Sequence, residues 1–371
     1  MKVAFITHTT KRGGATISNT TNLRYLLDNN LIQPEECLLV IPEGQGYGVY
    51  APFTKKIPST EMTLPFSWIF VGAAPGLHRK LYRVFKEIIS AIIFLTDYNR
   101  FLIQHGITHI YLNSIVLWPL LLVLPKSMNK TIHIRETFDT SLESRLAKWC
   151  IRKYADKIIA ISSLTANPFD ESIIIENPVD MYAARQLRSS RDELKEKMGI
   201  AKDTVVISMF SPIGLQKGYD FLESVMHKMS EDKKVVFLSV GNIDSDSVIL
   251  YNQLLQYPNF KHISEQENLD ELYAITDVVI RCEDYFPIGR TVIEGIYAGC
   301  FVLLPYRKGD LFSEDITPQM YLYVARSIES CTYAIDALVS LYPEGIINNE
   351  FEPTSNVKEV SEKLIEKIMQ E

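Results

Sequence analysis

Short, continuous runs of apolar and β-branched residues recur along this chain, separated by stretches of helical character, and this pattern constrains the fold more than any other feature. Residues 3–6, 38–41, 109–112, 131–134 and 157–161 form a first set of strand-length runs. Strands without polar alternation are those covered on both faces, as in a parallel sheet whose crossovers are helices. Right-handed crossovers then build a Rossmann-like layer. The pattern restarts after Asn177-Pro178-Val179-Asp180, where a polar stretch rich in Arg and Ser precedes a helix expected over 191–198. Residues 205–209, 235–240, 260–263, 278–280 and 301–304 supply a second set. The expected organisation is α/β: one Rossmann-like domain over 1–182, a second over 183–352, and a C-terminal amphipathic helix in 353–371 that packs back across the domain joint.

A length of 371 residues is sufficient for two cores. The excess of 45 acidic over 38 basic residues, a formal charge of −7, excludes a protein whose main task is coating nucleic acid. Five scattered cysteines without CxxC spacing fit reduced thiols and a cytoplasmic address. The first apolar run ends at Thr7, too early for a signal peptide, so residues 1–10 read as a buried first strand. The apolar stretch 115–125 is shorter than a membrane span and reads as core. In 64–95, bulky apolar residues alternate with Arg79, Lys80, Arg83 and Lys86. That segment reads first as a core helix with a solvated basic face, and in the alternative as an interfacial helix on anionic lipid.

Three motifs carry candidate chemistry. Lys11-Arg12-Gly13-Gly14-Ala15 follows the first strand and precedes a helix expected from about Thr16, where free helical N–H groups attract an anion. Its spacing departs from GxGxxG, which counts against a nicotinamide enzyme. Ser211-Pro212-Ile213-Gly214-Leu215-Gln216-Lys217-Gly218 follows the first strand of the second half and places Lys217 to neutralise a phosphate. In Pro287-Ile288-Gly289-Arg290-Thr291-Val292-Ile293-Glu294-Gly295, Gly289 opens a helix able to receive a diphosphate, and Glu294 can accept hydrogen bonds from the paired hydroxyls of a ribose.

Taken in order, the GGA loop, Tyr154-Ala155-Asp156-Lys157-Ile158-Ile159-Ala160-Ile161-Ser162-Ser163, Glu176-Asn177-Pro178-Val179-Asp180, Lys217-Gly218, Leu272-Tyr273-Ala274-Ile275-Thr276-Asp277-Val278 and the 289–299 helix resemble the family-4 retaining glycosyltransferases. The resemblance covers nearly the whole chain, and the order of six weak motifs gives it specificity. It implies a GT-B fold, two Rossmann-like parallel-sheet domains facing across a cleft, whose closure excludes water. The second domain would bind a nucleotide-sugar donor and the first a saccharide or lipid-linked acceptor. Glu294 would hold the ribose; Gly289, Arg290 and Thr291 would meet the diphosphate, Lys217 would pair with it, and Gly13 and Gly14 would lie across the cleft. Lys217 and Glu294 are thus the expected catalytic residues.

Three positions depart from the family pattern. The acidic residue expected eight positions before Glu294 is Phe286, with Glu283 and Asp284 just before it. The arginine expected five positions before Lys217 is Pro212, and a His-Asp or His-Glu pair appears as Arg135-Glu136. His8, Arg135, Glu136, Glu283, Asp284 and Phe286 are therefore the candidate acceptor or sugar contacts, with Arg290, Arg135, Arg12 and Lys11 as compensating cations. Asp244-Ser245-Asp246 has the DxD spelling of metal-dependent transferases but reads as a surface loop, and the histidines lack ligand spacing, so neither metal nor cofactor is expected. The expected function is metal-independent hexosyl transfer with retention, in surface polysaccharide or glycolipid synthesis, in the cytoplasm and in part on the inner membrane face. The rivals are a nucleotide-sugar-binding subunit without turnover and, more remotely, a nicotinamide-dependent oxidoreductase.

Overall fold

A computed structural model of the chain describes residues 2–65, 89–230, 234–286, 289–309, 317–341 and 354–370. Contacts divide it into two units, Met1–Pro178 with Val357–Glu371, and Val179–Asn356. In the first, strands β1 (Val3–Ile6), β2 (Cys37–Pro42), β3 (Ser59–Met62), β4 (His109–Leu112), β5 (Asn129–Ile134), β6 (Lys157–Ala160) and β7 (Ile173–Ile174) form a parallel sheet of order β3-β2-β1-β4-β5-β6-β7. Neighbouring residues of one strand enter opposite cores: Ala4 and Ile6 join Leu38, Val40, Ile110 and Leu112, while Val3 and Phe5 join Leu39, Ile41 and Tyr111. Burial on both faces is why these runs are continuously apolar.

The second unit repeats the plan. Strands β8 (Val205–Phe210), β9 (Val235–Val240), β10 (Phe260–Ile263), β11 (Val278–Ile280), β12 (Phe301–Tyr306) and β13 (Met320–Val324) are parallel in the order β10-β9-β8-β11-β12-β13. Strand order reverses beside β1 in one sheet and beside β8 in the other. The loops leaving the C-terminal ends at such a switch point diverge and open a crevice for ligands. In the second unit these loops follow β8 and β11, in which Val278 pairs with Ile207.

Three strands are not among the runs identified above: β3, β7 and β13. All are sheet edges. An edge needs no continuous apolar cover, and Ser59-Thr60-Glu61-Met62 buries only its methionine. Residues 115–122 form a buried 3-10 run, as expected of core. In the segment 64–95, residues 66–88 lie outside the described residues; Leu64 and Phe94 are buried, whereas Ile89, Ile92 and Leu95 are exposed. The helix Val357–Met369 packs on the helix Gly14–Asp28, with Val360, Leu364, Ile365 and Ile368 in one core with Leu23 and Leu26. Ser361 donates a hydrogen bond to Asn22 Oδ1 at 2.8 Å across that contact.

A buried ion cluster ties the start of the second unit to its sheet. Asp277, 1% exposed, accepts from Arg191 Nη2 at 2.7 Å and from the Val206 amide at 2.9 Å, with Lys195 Nζ at 3.7 Å. Burial holds the Lys195 ammonium down at about 8, against the pull of Asp277. Removing Asp277 takes the carboxylate away from two desolvated cations, so Asp277→Ala should destabilise this unit by about 3–5 kcal/mol. The check is the denaturant midpoint of its unfolding transition, compared with Asp246→Ala on the exposed loop, which should leave it unchanged.

Candidate functional site

The loop after β8 carries Gly214, a short turn Leu215–Lys217 and Gly218; the chain after β11 continues as Arg281, Cys282 and Glu283. Gly218 has φ 81°, and a Cβ there would lie 1.8 Å from the Cys282 carbonyl oxygen, so only glycine lets these two loops touch. The contact sets Lys217 Nζ 3.8 Å from Glu283 Oε1. Glu283, its side chain fully buried, is gripped by Arg281, whose Nε donates to Oε2 at 3.1 Å and whose Nη2 donates to Oε1. Arg281 Nη1 donates to Thr291 Oγ1 at 2.6 Å, in the first turn of the helix Arg290–Tyr297.

Two cations and one carboxylate therefore meet at a helix N-terminus. Burial alone would raise the Glu283 carboxyl, but the charge and hydrogen bonds of Arg281, aided by Lys217, hold it below the usual carboxylate range. Burial and the Arg281 charge lower the Lys217 ammonium, while Glu283 and Asp244 oppose them. For Arg281, burial disfavours the charge and Glu283 more than offsets it. The cluster keeps one net positive charge beside the partial positive charge of the helix start, which suits an anion.

Gly295 lets this helix lie directly on the sheet, since a Cβ there would approach Val279 Cγ2 to 2.8 Å. One turn into the helix, Glu294 Oε1 accepts from Arg290 Nε at 2.7 Å and Oε2 from the Tyr273 hydroxyl at 2.8 Å. Tyr273 stacks on Phe210, ring centroids 4.0 Å apart. Burial and the Glu294 charge raise the Tyr273 phenol well above its ordinary value, so it remains a donor. Each carboxylate oxygen, holding one donor, keeps capacity for a ligand hydroxyl.

The other expected contacts fall elsewhere. Phe286 is 1% exposed within the apolar core of Val279, Val292 and Ile296, so its ring is core rather than a sugar contact. Asp284 pairs at the surface with Arg307 at 2.7 Å. Gly289 is extended at φ −122° and caps the helix without a side-chain bond. Sequence reasoning passed over Arg281 and the bond from Tyr273. The available signal for Arg281 was a lone cation placed directly after an apolar run, at the C-terminal end of a strand.

In the first unit, Gly13 and Gly14 are exposed at the start of the helix that follows β1, with Gly13 as its cap. Beyond β5, Arg135 donates through Nε to Asn113 Oδ1 at 3.1 Å and through Nη1 to Asn177 Oδ1 at 2.6 Å. Ser18 Oγ donates to the same Asn177 oxygen at 2.9 Å. Glu136 accepts from Ser114 Oγ at 2.6 Å and from the Ile115 amide at 3.2 Å; burial raises its carboxyl, while those bonds and Arg135 oppose the rise. Both side chains are thus engaged in joining loops at the sheet end. His8 follows β1, and burial together with the Arg135 charge lowers its imidazole to about 4. Among the described residues, no group of three or more His, Cys, Asp or Glu is placed to hold a metal ion. Asp244 and Asp246 are exposed, and all five cysteines are free and buried.

No protein-family model matches the chain, and no curated protein matches it in sequence. Solved structures do match in fold. Anabaena HepE in complex with UDP has a TM-score of 0.74 at 15% identity, covering 99% of each chain. Sucrose-phosphate synthase from Thermosynechococcus elongatus has a TM-score of 0.72 at 12% identity, covering 99% of this chain and 98% of its own. WaaG, a glycosyltransferase involved in lipopolysaccharide biosynthesis, has a TM-score of 0.66 at 13% identity, covering 100% of each. The likeness establishes the fold: the chain is a GT-B protein with two Rossmann-like parallel-sheet domains.

The neutral His8 has a consequence in acid. Its folded value of about 4 lies below its ordinary 6.5, so the unfolded chain binds the extra proton between those values and stability falls as pH drops through that window. His8→Gln should flatten the decline of the thermal midpoint between pH 6.5 and 4 and leave the midpoint at pH 8 nearly unchanged.

Proposed function

We propose that the chain is a metal-independent retaining glycosyltransferase of the family-4 type, moving a hexose from a nucleotide-sugar to a saccharide or lipid-linked acceptor. One observation carries the reading: Lys217 and Arg281 meet at the start of the helix Arg290–Tyr297, with Glu294 one turn beyond. A diphosphate needs cations and free amide donors, and a ribose needs a carboxylate beside them. The fold supports it, and HepE has been solved with UDP-glucose, which makes UDP-sugars the first donors to test. In this reading the second unit carries the donor and the first the acceptor.

As the bond between the anomeric carbon and the diphosphate oxygen breaks, positive charge develops on the sugar and negative charge on the leaving group. Lys217, Arg281 and the amides at Gly289 stabilise the latter, and that electrostatic help is the main catalytic contribution. The acceptor hydroxyl attacks on the face the diphosphate leaves and gives its proton to the departing diphosphate oxygen, which retains configuration. In this reading Glu283, its side chain fully buried, positions both cations. The product is a surface polysaccharide or glycolipid, made in the cytoplasm at the inner membrane face. One observation favours a donor-binding subunit without turnover: the family's sugar-contacting acid is replaced by buried Phe286.

Thermal stabilisation across a panel of nucleotide-sugars tests the donor site. A donor at 100 times its dissociation constant should stabilise the protein by about 2.7 kcal/mol. Glu294→Ala should abolish the shift, and no shift with any donor would sink both readings. Arg281→Ala and Lys217→Ala each remove a charged partner, a loss of about 1.5–3 kcal/mol, so donor affinity should fall ten- to hundredfold in titration calorimetry. Wild type that binds a donor but neither transfers nor hydrolyses it would decide for the non-catalytic subunit.

A further inference from the structure

The helix Leu142–Tyr154 of the first unit shows three different surfaces. Ser144, Ala147, Cys150 and Ile151 face the core. At 3.6 residues per turn, Leu142, Leu146 and Trp149 share a second face. They are 79%, 49% and 49% exposed, although nothing in a solvated helix calls for a leucine-and-tryptophan stripe. Lys153 continues that stripe, its ammonium 4.8 Å from the Trp149 ring centroid. Arg145, Lys148 and Arg152 form the third face, between the other two, and line a cavity of about 510 Å³ with Phe138, Asp139 and Asn167.

The cavity is cationic. Asp139 is its one acid, and its Oδ1 accepts from the hydroxyls of Ser141 and Ser144. Lys148 lies over the Phe138 ring at 5.7 Å, and Arg152 donates to the Pro168 carbonyl at 2.6 Å, which holds both cations against the cavity wall. The chain as a whole carries a charge of −7, so this concentration of positive charge runs against its own background. An exposed apolar stripe that runs from Leu142 to Trp149, ends in Lys153 and is bordered on one side by Arg145, Lys148 and Arg152 and on the other by Glu143 matches a surface that is apolar within and anionic at its boundary. Among the described residues no helix is long and apolar enough to cross a membrane.

We propose that this helix docks the first unit on an anionic phospholipid bilayer, with Leu142, Leu146 and Trp149 at the acyl boundary and a headgroup phosphate in the cavity of Arg145, Lys148 and Arg152. The surface is distinct from the segment 64–95, and it rests on the reading that the acceptor is met at a membrane. Co-sedimentation of the full chain, without donor, with vesicles of phosphatidylcholine alone and of phosphatidylcholine with about one-third phosphatidylglycerol tests it. Binding is expected to the anionic vesicles only, and to fall steeply between about 0.1 and 1 M salt as screening shortens. With each cation worth about fivefold, Arg145→Gln with Lys148→Gln should weaken partitioning about thirtyfold or somewhat less. Leu146→Ser with Trp149→Ser should weaken it with the charges intact, and an unchanged thermal midpoint shows that each variant is folded. No partitioning to anionic vesicles, equal partitioning to neutral ones, or wild-type partitioning by both double variants overturns the proposal. The donor shift is read separately, so failure here and failure of the transferase reading are distinguishable.

Discussion

Strands β8 and β11 lie side by side and parallel, although the chain makes two further strands between them. Their C-terminal loops consequently leave the same end of the sheet, and Gly218 brings them into contact because no side chain intervenes at the Cys282 carbonyl. Everything in the candidate donor site follows from that approach. Lys217 reaches Glu283 from one loop, Arg281 grips Glu283 from the other, and Arg281 extends to Thr291 at the helix start. A single buried carboxylate thus holds two mutually repelling cations together beside a helix start. Desolvation would make either cation costly alone, and the pair is tolerable because Glu283 is ionised.

The first unit solves a related problem with neutral groups. Its loops beyond β1, β4 and β5 meet around Arg135, whose guanidinium is shared between Asn113 and Asn177. Asn177 belongs to the segment that ends this part of the chain and also receives Ser18 from the helix after β1. The helix Gly14–Asp28 accordingly buries Ser18, Asn19 and Asn22 where an ordinary helix would bury leucines. Its amide and hydroxyl side chains find partners in Asn177, Tyr50 and Ser361, and burial is affordable only because those partners exist.

How far the sequence could be read depends on how local the governing physics is. Central strands were visible because both faces must be apolar, a demand written into each residue of 278–280 and, Ser208 apart, of 205–209. Edge strands such as Ser59–Met62 escaped, since their partners supply the hydrogen bonds and no apolar run is needed. Lys217 and Glu294 could be singled out because each stands at a fixed offset from a strand end or a helix start. Arg281 could not be paired with Thr291 by any spacing, and Phe286 could not be known as core until the helix lay on the sheet.

The sequence by itself determined the two successive parallel-sheet layers, their core residues and the order of the phosphate- and ribose-type motifs. These depend on burial and on short-range backbone geometry, which neighbouring residues fix. Only the tertiary structure decided which charges share a site. Arg281 joined Lys217 and Glu283, Asp284 stayed at the surface, and Arg135 and Glu136 became ties between loops. Electrostatic partnership is set by distance through space, and residues far apart in the chain become neighbours only after the strands have paired.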